Sequence, residues 1–320
     1  MIKKLLIALA LSASVLGLHA QGALTSIDIV TDARTAGMGD AGIALSPHAN
    51  SIFRNTAAIG FSQYKTAVSL NYGPVQHSFS EAGEKANMFS LGGFYKINYK
   101  HALGLGLRYY AGGKALNTDG SLTNAMDMIV DLGYAFRIND IMGVSANARY
   151  LNSKLNKDIS GNAFGFDLGF NYSQRALSAA LTIKNIGTKV SYNGIQNSMP
   201  AAALAGVAYK WDLAMKHALT GSLQAGYNFM PTDYSYFAGG IGVDYCHDQM
   251  IAARAGYRYG DGEFAGASHA TAGPGPPYGP PVIDAASPAP HPPPPPPPPR
   301  HALPPPPAPP PPRPEPPPLP

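Results

Sequence analysis

The stretch Gly37-Met38-Gly39-Asp40-Ala41-Gly42 spells G-x-G-x-x-G, the spacing with which a strand-to-helix turn presses its N–H groups against a pyrophosphate. That chemistry needs a strand before the glycines, an amphipathic helix after them, and an acidic residue about 20 positions on to hold the ribose. "SIDIV" could pass as the strand. Pro47 interrupts any helix begun at Gly42, however, and no Asp or Glu occurs between Asp40 and Glu81. The motif predicts neither a nucleotide nor any other cofactor. Cys246 is the one cysteine, which excludes a disulfide framework and a cysteine-ligated zinc site. No residue is singled out as catalytic or metal-ligating, and a net charge of +4 is too small to argue for nucleic acid.

The remaining chemistry lies in charges spaced along alternating segments. In "NAFGFDLGFNY", Phe164, Phe166, Leu168, Phe170 and Tyr172 alternate with Ala163, Gly165, Asp167, Gly169 and Asn171. Such period-two patterning marks a strand with two unlike faces. It recurs in 128–139 and 176–185, and predicts about eleven strands near 64–72, 86–98, 101–113, 126–139, 141–155, 162–174, 176–186, 200–212, 217–230, 234–247 and 250–260. The turns between them are rich in Asn, Asp and Gly ("INYKH", "RINDI", "SYNGIQNS") and mostly of hairpin length, so the strands form an antiparallel up-and-down meander.

A soluble sandwich would alternate too. These strands are longer than the usual five or six residues and reach the roughly 9 to 11 that cross a bilayer. Aromatics gather near strand ends (Tyr109-Tyr110, Tyr172, Tyr209 with Trp211, Tyr227 with Phe229, Tyr257 with Tyr259), where an interfacial girdle would want them. Only 13% of residues are charged, well below an ordinary soluble surface. The expected fold is an all-β transmembrane antiparallel barrel in the outer membrane of a Gram-negative cell, its apolar face in contact with outer-membrane lipid. Its polar face would then look into the lumen with Arg108, Asp131, Arg149, Asp167, Lys184, Asp244 and Arg254, and also Arg137, Asn147, Arg258 and Cys246. Mixed signs suggest that carboxylates and guanidiniums pair across the lumen; contact with a substrate is the other reading.

Four segments are expected. Residues 1–20, with Lys3 and Lys4 before an apolar run, read as a secretory signal peptide. Residues 21–62 are rich in Gly, Ala, Ser and Asn and read as a plug inside the barrel, with Gly37, Gly39 and Gly42 serving close backbone packing. Residues 63–263 form the barrel. Residues 264–320 hold 28 of the 32 prolines and read as a disordered tail outside the fold. Two explanations stand for that tail. One is a shifted reading frame near codons 255 to 275; the other is a genuine proline-rich extension spanning the periplasm or binding a partner.

"DARTAGMGDAGIALSPHANSIFRNTAAIGF" resembles the N-terminal region of the PorV/PorQ family of outer-membrane proteins, relatives of the FadL fatty-acid transporters. In that family an A-R-x-x-G-M-G-x-A-G-x-A stretch precedes an N-P-A motif; here Asn55-Thr56-Ala57 stands in place of Asn-Pro-Ala. "NAFGFDLGFNY" and "LSAALTIKNIGTKVSY" resemble the family's paired central strands and their Asn-Ile/Leu-Gly turn. The resemblance implies a 14-stranded FadL-like barrel, of which about eleven strands are recognisable here, with an N-terminal hatch packed through Gly37, Gly39, Asp40, Gly42, Asn50 and Asn55. It implies no enzyme activity. For PorV-like members it implies service in the type IX secretion system of Bacteroidetes, as a shuttle or docking protein between translocon and cargo proteins. The alternative is a FadL-like transporter of hydrophobic small molecules.

Overall fold

The computed structural model describes residues 25–75, 86–116, 122–232, 235–248, 250–260, 268–275 and 282–284. The expected signal peptide and the proline repeats after residue 284 lie outside the described residues. Eleven long strands follow the alternation: β1 (Thr66–Val75), β2 (Ala86–Lys96), β3 (His101–Leu116), β4 (Leu122–Arg137), β5 (Met142–Lys154), β6 (Ser160–Gln174), β7 (Leu177–Gly187), β10 (Ala202–Ala214), β11 (His217–Asn228), β12 (Tyr236–His247) and β13 (Ile251–Gly260). Between β7 and β10, β8 (Val190–Tyr192) and β9 (Ile195–Asn197) make a small ribbon. Its turn, Asn193-Gly194, has φ of +48° and +86°, as a tight hairpin requires.

Two further strands join the sheet, β14 (His269–Gly275) and β15 (Val282–Asp284). The tail boundary expected at 263 is therefore too early. Proline content taken over the whole tail hides the proline-free run 264–273; Pro274 pairs opposite Ala253 near the end of β14, where a missing N–H is tolerated. The sheet order is β14-β13-β12-β11-β10-β7-β6-β5-β4-β3-β2-β1-β15. Every neighbouring pair is antiparallel except β1 with β15, which is parallel (Ser69↔Val282). Parity requires this, because the first and thirteenth strands of an up-and-down meander run the same way.

The apolar face of this sheet points outward. Val68, Leu70, Phe164, Phe166 and Leu168 are each more than half exposed, which lipid accommodates and water would penalise. The inward face closes around residues 25–61, folded as α1 (Ala33–Gly37) and three 3-10 turns, Thr25–Asp28, Ala49–Phe53 and Thr56–Phe61. Asp32 caps α1 by accepting from the Thr35 N–H at 2.9 Å. Asn55 caps the last turn by accepting from the Ala57 N–H at 3.2 Å, which leaves Thr56 at the first helical position. Proline is welcome there, so Asn-Thr-Ala and Asn-Pro-Ala fit the same turn. No helix among the described residues is long and apolar enough to cross a membrane; the strands cross it.

Candidate functional site

The hatch is held from every side of the sheet. Asn50 donates through Nδ2 to Ser69 Oγ on β1 and accepts through Oδ1 from Asn71 Nδ2, each at 3.1 Å. Asn55 donates to Asn171 Oδ1 on β6 at 3.1 Å and to the Ile43 carbonyl at 3.2 Å. Asn147 on β5 donates to the Ile52 carbonyl at 3.0 Å. On the far wall, Gln224 of β11 accepts from both the Gly42 and Ile43 N–H groups at 3.1 Å. Strands near both ends of the sheet order thus reach one segment, which is possible only because the sheet curls around it.

The glycine motif sits at the tightest of these approaches. Gly39 has φ of +63°, and a β-carbon built there would lie 2.5 Å from the Tyr257 carbonyl oxygen of β13. One built on Gly240 of β12 would lie 1.8 Å from the Gly39 carbonyl oxygen. Here two backbones meet with no room for a side chain on either. The N–H that would cradle a phosphate is occupied, since Gly39 N donates to Thr271 Oγ1 on β14 at 3.0 Å. The polarity is also wrong for an anion: α1 ends at the motif, turning the carbonyl end of the helix toward it. Gly37 lies beside Arg254, and Gly42 packs on Thr35. Asp40 pairs with Arg258 of β13 at 2.8 Å.

The lumen charges fall into two clusters. On one wall the enclosed Asp131 accepts from Arg108 Nη2 at 3.0 Å and from Arg149 Nε at 2.6 Å. Arg149, its direct cross-strand partner, reaches on to Asp167 Oδ2 at 2.9 Å. Arg108 also donates to the Ile27 carbonyl at 2.7 Å, and Lys184 to the Phe53 carbonyl at 3.0 Å. On the other wall Asp244 accepts from Arg254 Nε at 3.2 Å and from Arg34 Nε of the hatch at 2.8 Å. All eight charged residues sit at or below a tenth of full exposure. Burial of such groups is tolerated only with this degree of pairing and hydrogen bonding.

Two residues of this network have no counterpart among the expected site residues. Arg34 was visible only as part of the family stretch. Asn185 falls both in the expected strand 176–186 and in the turn that the resemblance implies; it lies inside β7, at a bulge where φ is +60° and the register to β6 shifts between Phe166 and Leu168. The bulge turns Lys184 and Asn185 inward together. Asn185 then donates to the Pro200 carbonyl at 2.8 Å and to Asp167 through its own N–H at 2.7 Å, and accepts from Arg149. Tyr110 also departs from expectation. With Tyr109 facing lipid, alternation turns Tyr110 inward, against Ala86 and Met88.

Near the long-loop end, Ile27, Ile129, Leu151, Val190, Tyr192 and Met199 form an apolar cluster inside the barrel. The β8–β9 ribbon contributes two of its members. His48 is buried in the hatch, where its Nδ1 accepts from the Asn50 N–H at 3.2 Å. Burial pushes its pKa down to about 4, with Asp32 opposing and Arg34, Arg54 and Arg254 adding to the fall.

A family model described as "Type IX secretion system protein PorV" matches residues 20–235, more than half of the chain. The chain belongs to the PorV family. It is accordingly an outer-membrane protein associated with type IX secretion. No curated protein sequence matches it. Among solved structures, the Ralstonia pickettii toluene transporter TbuX is 14% identical over 76% of this chain and 88% of its own, with a TM-score of 0.50. The Pseudomonas putida toluene transporter TodX is 13% identical over 76% and 88%, with a TM-score of 0.48. At such identities the likeness to TbuX speaks for a FadL-like barrel fold in this PorV-family chain and for nothing finer.

Proposed function

We propose that the chain is a docking or shuttle component for secreted cargo, acting through its loops and rim while the hatch keeps the lumen occupied. The family match over residues 20–235 carries this reading. The interior agrees with it. An importer needs a continuous greasy path past the hatch, whereas here the lumen wall beside the hatch carries paired charges, and the apolar clusters near the long-loop mouth are filled by the chain's own side chains, Ile27, Val190 and Met199 in one and Met88 and Tyr110 in the other. The second reading, transport of a hydrophobic small molecule, draws on the fold shared with TbuX, itself a toluene transporter. Ile195, on the ribbon beside the Asn193-Gly194 turn, is 54% exposed and suits a photoreactive side chain. In intact cells, that probe captures exported cargo proteins if the docking reading holds. Capture of no exported protein, in cells that take up a hydrophobic compound only when the chain is present, reverses the order.

A further inference from the structure

The two rims of the barrel differ in both shape and charge. One is built from the tight β2–β3, β4–β5, β6–β7, β10–β11 and β12–β13 connections together with the entry to β1; the other carries the longer ones. In outer-membrane barrels short turns face the periplasm. At the short-turn rim Lys65, Lys100 and Arg175 are exposed, and none of the three forms an ion pair among the described residues. Arg137 lies over the rings of Tyr99 at 4.2 Å and Phe61 at 4.8 Å, and Lys65 over Tyr95 at 5.5 Å. Lys210 and Lys216 pair with Asp212 at 2.9 Å and Asp248 at 3.0 Å, but in the open, with the lysine side chains 56% and 61% exposed, where such pairs hold weakly. Lys96 completes the set, and Asp140 is the one other acid. Counted together, seven cations face three carboxylates. The long connections at the opposite rim carry three Lys against seven Asp and Glu.

We propose that the short-turn rim binds the phosphate headgroups of anionic phospholipid in the periplasmic leaflet. The cations are spread around the rim, at the entry to β1 and along successive turns. A membrane leaflet meets such a ring all the way round; a docked protein would cover one arc of it. The cations also sit at headgroup depth, because the same rim bears an outward aromatic belt. Tyr134 OH lies 2.5 Å from His101 Nδ1, Tyr245 OH lies 2.6 Å from His217 Nδ1, and Tyr209 packs with Trp211 at 4.8 Å. Rings of this kind settle at the membrane–water interface, and anionic headgroups there attract nearby Lys and Arg.

The test reconstitutes the full chain in phosphatidylcholine containing roughly one third phosphatidylglycerol and measures, with spin-labelled lipids, which headgroup occupies the boundary shell. Phosphatidylglycerol is expected to be enriched about threefold over phosphatidylcholine, with the excess falling at about 0.5 M salt. The triple variant Lys65→Gln, Lys100→Gln, Arg175→Gln should lose that excess while keeping the gel mobility of a folded barrel. Lys154→Gln with Lys189→Gln, at the other rim, should keep it. Equal boundary shells for the two lipids, or enrichment that survives the triple variant, overturn the proposal; the first of these leaves the basic rim to an acidic protein partner. The outcome does not depend on whether cargo docks at the loops.

Discussion

Gly39 is where a single methyl group would matter most in the hatch. Its φ of +63° disfavours any side chain, and the β-carbon of one would lie 2.5 Å from backbone that cannot rotate away. Gly39→Val is expected to cost about 3 kcal/mol or more and to open the 25–61 segment to protease. Gly37→Ala should cost less, because Gly37 lacks the positive φ and its β-carbon would meet Arg254 Cβ at 3.2 Å, a contact that a shift of a few tenths of an ångström relieves. The wild-type protein should bind no NAD, FAD or nucleotide. His48 makes a second residue-scale prediction. Its folded pKa is about 4 against an ordinary 6.5, so between those values the unfolded chain holds the extra proton. Hatch stability is therefore full at neutral pH and declines as pH falls from 6.5 towards 4, by about 3 kcal/mol in all. Protease susceptibility of the hatch across that range checks it. His48→Asn keeps an acceptor for the Asn50 N–H without a titrating group, and should flatten the profile.

At the scale of elements, the β7 bulge and the Thr56–Phe61 turn separate backbone from side-chain effects. Asn185→Gly keeps the positive φ and loses the hydrogen bonds to Arg149 and the Pro200 carbonyl; Asn185→Val loses both. Each should lower the temperature at which the barrel loses its compact gel mobility. The glycine variant is expected to cost about 2 kcal/mol and the valine variant more. Thr56→Pro should leave that temperature unchanged or raise it, the gain being up to about 1 kcal/mol. Ala57→Pro should lower it, because the Ala57 N–H is the donor that Asn55 accepts. Strand positions were legible because residues such as Phe164 to Tyr172 alternate without a break. The bulge was not, because "KNIG" breaks alternation at one residue, and from sequence an inserted residue and a turn look alike. Nor could pairing be read: that Asp131 meets Arg149, 18 residues away, follows from register, and register is set by the whole sheet. The partner of the glycine motif was hidden further still, since Thr271 lies 232 residues from Gly39, in a stretch that its proline-rich neighbours made look unstructured.

Across the whole molecule, an apolar outer wall, a charged and paired inner wall, and a hatch tied to strands from β1 to β14 describe a membrane barrel with an occupied lumen. Composition and strand length were enough to indicate the membrane. They could not show how the sheet ends, because β14 and β15 carry too little alternation to stand out. In this account, function sits on the loops and rim and not along a passage through the centre. Deleting the gene and fractionating the cells tests that claim most directly. Type IX cargo proteins should then accumulate unprocessed in the periplasm while uptake of hydrophobic compounds continues. Normal cargo release at the surface, with uptake of a hydrophobic compound lost, would contradict it.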